Sequence, residues 1–474
     1  MSGPDKSIVK RFDSLRTHLE RENPVLLDAV GGFQKLDGIG YTTGLLASDE
    51  SYSTQIPWWP LISVLGTFSA GKSSFLNSYL GKTLQQTGNQ AVDDKFTVIC
   101  FGQKNAGKVL PGLALDADLR FPFYKISDEI EKVAEGEGRR IDAYLQLKVS
   151  DSEVVRGKIV IDSPGFDADE QRTSTLRLTD HIIDLSDLVL VFFDARHPEP
   201  GAMQDTLTHL VSNTISRPDS NKFLYILNQI DTAAREDNPE DIVGAWQRAL
   251  SQKGLTAGRF YTVFNKDVAL PIPDETLRQR FERKRDQDMN DIEERIRQVE
   301  VERAYRIVGA MEKEAYFIRD NAIPTLTSLR KKWSQSVFRT ELVVLVLLLI
   351  LMGVLVFVTG AFASIGALLL GMIVNPMGTL PMWAGLLVLL IVGHFGIKHL
   401  VTKRFLAKLS GTKQEGYVHA LRKNTRWFRS LFRSKPVGWN ASTQQEVVEV
   451  IEHSSEFVQK LNDQFTNPSG ADES

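Results

Sequence analysis

A glycine-rich run with a lysine and two serines carries the clearest chemistry in this sequence. The run is Gly66-Thr67-Phe68-Ser69-Ala70-Gly71-Lys72-Ser73, followed by Ser74. It matches the pattern G-x-x-x-x-G-K-[ST], in which glycines let backbone N–H groups close around phosphates. The apolar run 61–65 before it predicts a buried strand, and residues 74–80 after it predict a helix. Because a helix N-terminus adds partial positive charge, the motif predicts a phosphate-binding loop.

The side chains of this loop define the expected roles. The Lys72 ammonium is expected to neutralise the β- and γ-phosphates of a nucleoside triphosphate, and the Ser73 hydroxyl is expected to bind Mg²⁺. The loop residues expected to contact the nucleotide are Gly66, Phe68, Ser69, Ala70, Gly71, Lys72, Ser73 and Ser74. The candidate catalytic residues for hydrolysis are Lys72, Ser69 and Thr97.

A second motif supplies a carboxylate at the end of a predicted strand. Residues 158–161 predict the strand, and Asp162-Ser163-Pro164-Gly165 follows it. A carboxylate beside the phosphate loop is able to hold Mg²⁺, usually through water, and Gly165 leaves its N–H free for a γ-phosphate. Taken alone, D-x-P-G is more often an ordinary turn. Its place after a strand favours Asp162 as a metal-binding residue.

A third motif has the form of a base-reading site. Residues 223–227 predict a strand that leads into Asn228-Gln229-Ile230-Asp231, which matches [NT]-[KQ]-x-D. The Asp231 carboxylate would accept hydrogen bonds from guanine N1–H and N2–H₂. Asn228 would brace the neighbouring loops. Three motifs in this order, each at a strand end, predict a site for GTP with Mg²⁺.

The surrounding pattern predicts the fold class. Between residues 61 and 270, apolar runs alternate with amphipathic stretches, which predicts an α/β P-loop NTPase domain whose sheet carries helices on its faces. Further candidate strands are residues 97–101, 144–149, 188–193 and 260–264. Residues 1–60 are expected to form a helical segment. Breaks in it are expected at Pro24, Gly31, Gly32, Gly38 and Gly40.

Two long segments follow the predicted nucleotide domain. Residues 274–338 predict a helical bundle or stalk, interrupted at Pro324, which either packs on the globular domain as a surface helix or acts as a lever. Residues 342–397 contain no Asp, Glu, Lys or Arg. A run of this length is enough for two bilayer crossings, with a bend expected near Gly360. A hairpin buried in a soluble core is the alternative.

Flanking charge predicts the orientation of the hairpin. Basic residues before it are Arg330, Lys331, Lys332 and Arg339, and those after it are Lys398, Lys403, Arg404 and Lys408. Both termini and the nucleotide domain are therefore expected to face the cytoplasm, in an integral membrane protein with two spans. The single cysteine, Cys100, excludes an internal disulfide and fits a reducing compartment.

The C-terminal part is basic and amphipathic. Residues 398–466 are predicted to form basic amphipathic helices, and residues 467–474 a disordered tail. Within them, residues 426–433 would set aromatic rings on one helix face and arginines on another, which favours a surface of anionic lipid over packing on the nucleotide domain. The formal net charge of −3 gives no indication of nucleic-acid binding.

Taken together, these motifs resemble the dynamin superfamily and are most similar to the EH-domain-containing (EHD) ATPases. The resemblance rests on Ser69-Ala70-Gly71-Lys72-Ser73-Ser74, Arg120-Phe121-Pro122-Phe123, residues 161–165, Phe192-Phe193-Asp194-Ala195, Leu227-Asn228-Gln229-Ile230-Asp231, Ala304-Tyr305 and Met311-Glu312-Lys313-Glu314. It implies a G domain with a helical bundle built from segments before and after it. It also implies nucleotide hydrolysis and assembly into homo-dimers or larger homo-oligomers on membranes.

The sequence departs from that family in three respects. Family members carry a switch threonine in a Pro-Thr-Thr-like stretch, whereas residues 91–96 contain none, so Thr87 or Thr97 would have to replace it and hydrolysis is expected to be slow. No EH domain is visible. The apolar hairpin is more like that of atlastins and mitofusins.

These features leave more than one function open. One is a membrane-anchored GTPase that couples hydrolysis to self-assembly and to membrane remodelling, tethering or fusion. The other is an EHD-like ATP-using protein or a slow nucleotide switch that recruits partners to the membrane. A channel or transporter is disfavoured because His394 is the only readily charged residue in the two spans.

Overall fold

The chain folds into two compact units, which we describe separately from a computed structural model. The structure describes residues 3–67, 69–87, 95–118, 121–123, 126–133, 135–165, 173–197, 220–235, 239–252, 254–255, 258–360, 366, 380–412, 414–433 and 435–465. The sheet unit comprises Thr17–Leu26 and Thr54–Val308. The helical unit comprises Met1–Arg16, Leu27–Ser53 and Gly309–Ser474.

An eight-stranded mixed sheet forms the centre of the sheet unit within the described residues. The strands are β1 (Leu61–Gly66), β2 (Phe96–Phe101), β3 (Val109–Pro111), β4 (Leu145–Ser150), β5 (Ile159–Asp162), β6 (Leu188–Asp194), β7 (Phe223–Asn228) and β8 (Arg259–Thr262). Their spatial order is β3-β4-β2-β5-β1-β6-β7-β8. The pairs β2–β5 and β3–β4 are antiparallel, and the other pairs are parallel.

The helices in the described part of the chain come before, between and after these strands in the sequence. They are α1 (Lys6–Glu22), α2 (Leu27–Thr43), α3 (Lys72–Leu80), α4 (Leu113–Asp116), α5 (Ile126–Val133), α6 (Ile141–Tyr144), α7 (Thr173–Leu185), α8 (Pro239–Gln252), α9 (Glu275–Tyr316), α10 (Ile323–Thr359), α11 (Leu380–Leu409), α12 (Val418–Asn424) and α13 (Ala441–Phe465). A π-helical segment, Phe317–Ala322, lies between α9 and α10.

Both faces of the sheet are covered, which explains why its central strands are almost wholly apolar. Every residue of β1, β6 and β7 is buried. One face of β1 packs against α3 and the part of α9 in this unit, and the other face packs against helices that include α7. Parallel strands buried on both sides read as continuous hydrophobic runs. The predicted α/β P-loop NTPase fold is confirmed.

The sequence did not reveal β3, and the reason is its place at the sheet edge. All three of its residues are exposed, so they follow no apolar pattern. Pro111, which has no N–H to donate, is tolerated in a strand that pairs on one side only.

Within the helical unit, the glycines after residue 30 do not break the chain as the sequence predicted. Helix α2 continues through Gly31, Gly32, Gly38 and Gly40 to Thr43. A Cβ atom on Gly32 would lie 2.2 Å from Met311 Sδ, so a glycine there allows close helix packing. The break predicted at Pro24 does occur, as the 3-10 turn Pro24–Leu26 between α1 and α2.

The π-helical segment accounts for the helix continuing past Pro324. That proline lies in the first turn of α10. In a regular α-helix its ring would clash with the carbonyl group of residue 320, and one backbone hydrogen bond would be lost. Because residue 320 lies in the wider π turn, the helix continues past Pro324, and the interruption that the sequence predicted takes the form of this π turn.

Two helices are long and apolar enough to cross a membrane, judged by length and composition. They are the continuous run Glu275–Thr359 and the segment Trp383–Leu409. The large hydrophobic side chains of residues 342–358 are mostly exposed, as are those of 380–395. Helix α10 ends at Gly360, whose φ of 65° is left-handed, at the point where the sequence predicted a bend.

Residues 426–433 do not form the amphipathic helix that the sequence predicted. Helix α12 ends at Asn424, and the residues after it form turns and bends. Their carbonyl groups accept hydrogen bonds from the side chains of Arg330, Ser334 and Lys398, which hold the backbone in a non-helical path. These tertiary contacts outweigh the helical periodicity of the sequence.

Candidate functional site

The predicted phosphate loop lies at the carboxyl edge of the sheet, between β1 and α3. Gly71 immediately precedes α3 with a φ of 82°, in the left-handed region that glycine adopts without strain. A Cβ atom there would lie 2.2 Å from Asn228 Nδ2, so only glycine fits. Ser69 also has a positive φ, 58°. Ser74 lies in the first turn of α3, and Phe68 lies outside the described residues.

Lys72 is buried beneath this loop and bound to its backbone. Its Nζ donates hydrogen bonds to the carbonyl oxygens of Gly66 and Thr67, each at 2.9 Å. Burial lowers the pKa of Lys72 to about 8, and the nearby Asp162 carboxylate acts in the opposite direction. The Lys72 ammonium lies at the N-terminus of a helix, where anions bind favourably. A bound polyanion would raise its lowered pKa and so stabilise the charged form.

Ser73, in the first turn of α3, faces Asp162 at the end of β5. The Ser73 hydroxyl lies 3.4 Å from Asp162 Oδ2, and Asp162 is only 3% exposed. The strand register aligns Val64 with Asp162, so the carboxylate lies beside the phosphate loop. The described residues contain no group of three or more His, Cys, Asp or Glu that could hold a metal. One hydroxyl and one carboxylate fit Mg²⁺, which retains most of its waters and takes few protein oxygens.

Gln85 connects this carboxylate to a buried lysine, a feature that sequence reasoning missed. Its Nε2 donates to Asp162 Oδ2 at 2.6 Å, and its Oε1 accepts from Lys148 Nζ at 2.5 Å. Gln85 is 1% exposed and Lys148 is 7% exposed. Neither Gln85 nor Lys148 belongs to a recognisable motif, so no pattern in the sequence pointed to them.

Asn77 fixes the backbone that carries Gln85. Its Oδ1 accepts from the backbone N–H groups of Leu84 and Gln85, at 2.9 and 2.8 Å. Its Nδ2 donates to the Gln85 carbonyl at 2.8 Å. Asn77 lies four residues after Ser73 on α3, so the same helix that starts at the phosphate loop positions Gln85.

The third motif contacts the phosphate loop through its side chains. Asn228 Nδ2 donates to the Ala70 carbonyl at 2.9 Å, and Gln229 Nε2 donates to the Ser69 carbonyl at 2.6 Å. Gln229 has a φ of 64°, which turns the chain sharply after β7. These contacts are the ones that a bracing role for Asn228 requires.

Asp231 is buried near the loop that follows β8. It is 6% exposed, and its Oδ2 accepts a hydrogen bond from the backbone N–H of Leu270 at 2.9 Å. The backbone N–H of Ile230 reaches the Val263 carbonyl at 3.4 Å. Residues 263–270 therefore border Asp231, a neighbourhood that the motif alone did not reveal.

Arg196 is a further cation beside the phosphate loop. Its guanidinium binds both carboxylate oxygens of Asp194, at distances from 2.6 to 3.0 Å, and Nη2 lies 3.5 Å from the Ser69 carbonyl. The Asp194 carboxylate raises the pKa of Arg196. Asp194 ends β6 opposite Asn228, which places the pair at the same sheet edge as the three motifs.

The remaining predicted residues lie as follows. Thr97 is fully buried in β2 opposite Asp162, and its hydroxyl accepts a hydrogen bond from Gln146 Nε2 at 2.8 Å. Its assignment to hydrolysis stays a prediction. Gly165 lies three residues beyond β5. Residues 91–94 of the stretch compared with the family's switch, and Arg120 of the resemblance, lie outside the described residues.

Part of the sheet unit matches a known protein family. Residues 62–230 match the model of the dynamin family. None of the curated proteins matches the chain by sequence. The domain therefore has the dynamin-type G-domain fold within a chain that also has long helices and two candidate apolar spans.

The chain also has a weak similarity to solved structures of bacterial proteins. Two belong to an oligomerised bacterial dynamin pair described in connection with sensing and tethering of membranes, with 14% identity and TM-scores of 0.37 and 0.36. Each alignment covers 96% of this chain and 74% of the other chain. A third is LeoA, a bacterial dynamin GTPase from ETEC, with 12% identity, a TM-score of 0.30 and coverage of 96% and 66%.

Proposed function

We propose that this protein is a membrane-anchored, dynamin-like GTPase that binds GTP with Mg²⁺ and couples hydrolysis to self-assembly on a bilayer. The observation that carries the proposal is the convergence of Lys72, Ser73, Asp162 and Asp231 on one sheet edge. The match of residues 62–230 to the dynamin family supports it.

Each residue has a role that its geometry suits. Lys72 and the backbone N–H groups of residues 69–73 hold the β- and γ-phosphates, and Gly165 offers a further N–H to the γ-phosphate. Ser73 and Asp162 would hold Mg²⁺, directly or through its waters, and the ion would neutralise charge on the phosphates. Charge developing during hydrolysis is stabilised by Lys72 and the loop amides, which are already oriented before reaction.

Base selection is assigned to the third motif. Asp231 accepts hydrogen bonds from guanine, while Asn228 and Gln229 tie the base-reading loop to the phosphate loop. ATP is the alternative nucleotide, since the resemblance to EHD ATPases includes a similar motif.

The apolar helices are assigned to the bilayer. Residues 342–359 and 380–397 carry exposed apolar side chains and contain no Asp, Glu, Lys or Arg. Exposing these side chains costs free energy in water, and placing them in lipid gains it. Basic residues on both flanks of the apolar helices support a cytoplasmic location for the termini and the G domain. Anionic lipids are the proposed surface for the basic flanks, and copies of this chain are the proposed assembly partners.

A slow, membrane-bound nucleotide switch that recruits partners is the second candidate. The absence of a threonine from residues 91–96 favours it, because the family pattern places a hydrolysis residue there. Turnover that rises on liposomes, with tubulation or lipid mixing under the microscope, supports the mechanochemical function. Nucleotide-dependent capture of a partner without assembly supports the switch.

The test of the site uses the full chain in detergent. GTP and ATP are titrated against the wild type and Lys72→Ala, with fluorescent analogues. We expect tighter GTP binding, and a loss of at least about tenfold in Lys72→Ala, because a charged hydrogen-bond donor to phosphate contributes roughly 1.5–3 kcal/mol. Binding unchanged in Lys72→Ala would refute the phosphate contact, and tighter ATP binding would overturn the base assignment.

A further inference from the structure

The non-helical segment after α12 exposes three aromatic rings to solvent. We call residues 426–433 the aromatic loop. Trp427 is 70% exposed, Phe428 is 52% exposed and Phe432 is 93% exposed. Arg426 and Arg433 are exposed beside them. Exposed aromatic side chains that lie near each other and near arginines indicate a surface that contacts a membrane or another protein.

The backbone of the loop is held from within the helical unit by two buried cations. Lys398 Nζ donates to the carbonyls of Trp427 and Arg429, at 2.7 and 2.5 Å. Arg330 donates to the carbonyls of Ser430 and Lys435, at 2.9 and 2.8 Å. Because Lys398 and Arg330 are 3% and 2% exposed, their charges stabilise the loop and do not face lipid.

The loop lies beside the ends of both apolar helices. Lys398 directly follows the uncharged stretch of α11, and the Trp427 ring packs on Phe395 with centroids 5.7 Å apart. Leu431 packs against the cluster that contains Trp333 and Val337 of α10. The aromatic rings are therefore continuous with the surface that the apolar helices present.

This arrangement fits the boundary between lipid headgroups and acyl chains. Tryptophan and other aromatic rings favour that boundary, where the apolar body and any polar edge are both satisfied. Moving the exposed phenylalanine rings from water into this boundary is favourable because it removes apolar surface from water. Exposed arginines near the rings match the negative charge of lipid phosphates.

We propose that the aromatic loop inserts Trp427, Phe428 and Phe432 into the headgroup–acyl boundary, with Arg426 and Arg433 on anionic lipid phosphates. The proposal rests on the proposed placement of α10 and α11 in the bilayer. The loop then fixes the depth of the helix pair, because Lys398 and Arg330 bind it to both helices. It acts as a membrane contact separate from the spans themselves.

The test measures depth in reconstituted vesicles. Cys100→Ser removes the only native cysteine, so Phe432→Cys, Leu349→Cys and Ser455→Cys each carry one polarity-sensitive fluorophore. The vesicles are phosphatidylcholine with phosphatidylserine, and contain nitroxide-labelled lipids quenching at shallow or deep positions. We expect shallow quenching at position 432, deep quenching at 349 and none at 455, an exposed position on α13.

The outcomes separate this inference from the proposed function. No deep quenching at position 349 would refute the placement of α10 in lipid. Deep quenching at 349 with a water-exposed probe at 432 would overturn the loop proposal alone. A probe at 432 that is shielded but insensitive to lipid nitroxides would also overturn it, since a protein then covers the loop.

A matched pair of variants tests the lipid charge. The double variant Arg426→Gln and Arg433→Gln is expected to lose the dependence of quenching at position 432 on phosphatidylserine. Arg422→Gln, an exposed arginine on α12 outside the loop, is expected to retain that dependence. Equal behaviour of the two variants would refute the assignment of Arg426 and Arg433 to lipid phosphates.

Discussion

Replacing Gln85 by leucine tests whether this buried amide positions the metal-binding carboxylate. The substitution keeps a side chain of similar length and removes both polar groups. It deletes the hydrogen bond to Asp162 and the one from Lys148. The backbone clamp by Asn77 does not depend on the side chain of residue 85 and remains.

The expected magnitude follows from the character of these bonds. A hydrogen bond to a charged group contributes roughly 1.5–3 kcal/mol, and one such bond here orients the Asp162 carboxylate. Loss of a residue that orients a metal ligand typically reduces metal affinity about 10- to 100-fold. We therefore expect the Mg²⁺ concentration that half-saturates nucleotide binding to rise by about that factor in Gln85→Leu.

The assay titrates Mg²⁺ against the full chain with a fluorescent GTP analogue. Affinity for the analogue in EDTA should change less than about twofold, because the phosphate loop keeps its own contacts. Gln86→Leu is the matched control, since Gln86 is the exposed neighbour of Gln85. Lys148→Met is a second variant that removes only the lysine contact, and a smaller shift of the same sign is expected.

Equal Mg²⁺ midpoints for Gln85→Leu, Gln86→Leu and the wild type would refute the positioning role. A fall in affinity of the same size with and without Mg²⁺ would also refute it, because general damage to the loop acts on both. Far-UV circular dichroism of each variant shows whether the fold is retained.

Two further predictions concern protons. Because burial holds the pKa of Lys72 at about 8 and a triphosphate would raise it, nucleotide binding near pH 8 should take up roughly half a proton, and binding at pH 6 almost none. Calorimetry in buffers of different ionisation enthalpy measures this, and uptake independent of pH would contradict it. Asp37, whose pKa burial raises from 3.8 to about 6, accepts from Ser51 and Tyr52. The pKa of Asp37 is higher in the folded protein than in the unfolded chain. Its protonated carboxyl group therefore contributes fully to the free energy of unfolding below pH 4, and this contribution, roughly 3 kcal/mol in all, is lost as the pH rises through 6. The melting temperature of Asp37→Asn should fall less between pH 4.5 and pH 8 than that of the wild type. An equal fall in both proteins would contradict the assignment of this pH dependence to Asp37.

The predicted strands and the three motifs could be read from the sequence because each is a short contiguous stretch of residues. A strand buried on both faces is a continuous apolar run, as in β1 and β7, and a phosphate loop is a contiguous string from Gly66 to Ser73. Every predicted strand is found within one or two residues of its expected ends. The three motifs lie at the carboxyl edge of the sheet because parallel strands bring their ends to one edge.

What the sequence could not predict depends on contacts between distant residues. Gln85 and Lys148 are 63 residues apart and meet only in the folded sheet unit. Residues 426–433 have helical periodicity, yet Lys398 and Arg330 bind their carbonyls and prevent the helix. The glycines of α2 predicted breaks, although Gly32 allows close packing against Met311 and Gly40 allows close packing against Leu46 within a continuous helix. In each case a tertiary contact overrides the local preference.

The π turn between α9 and α10 also has a geometric consequence for the helical unit. One buried side chain per turn can be followed through Met311, Ala315, Ile318, Ala322, Leu326, Leu329, Trp333 and Val337. These seven steps span 26 residues, whereas seven turns of a regular α-helix need about 25. The π segment accommodates the additional residue. The buried side chains before and after it therefore lie on the same side of the helix, and a single apolar stripe continues from the end of α9 into α10.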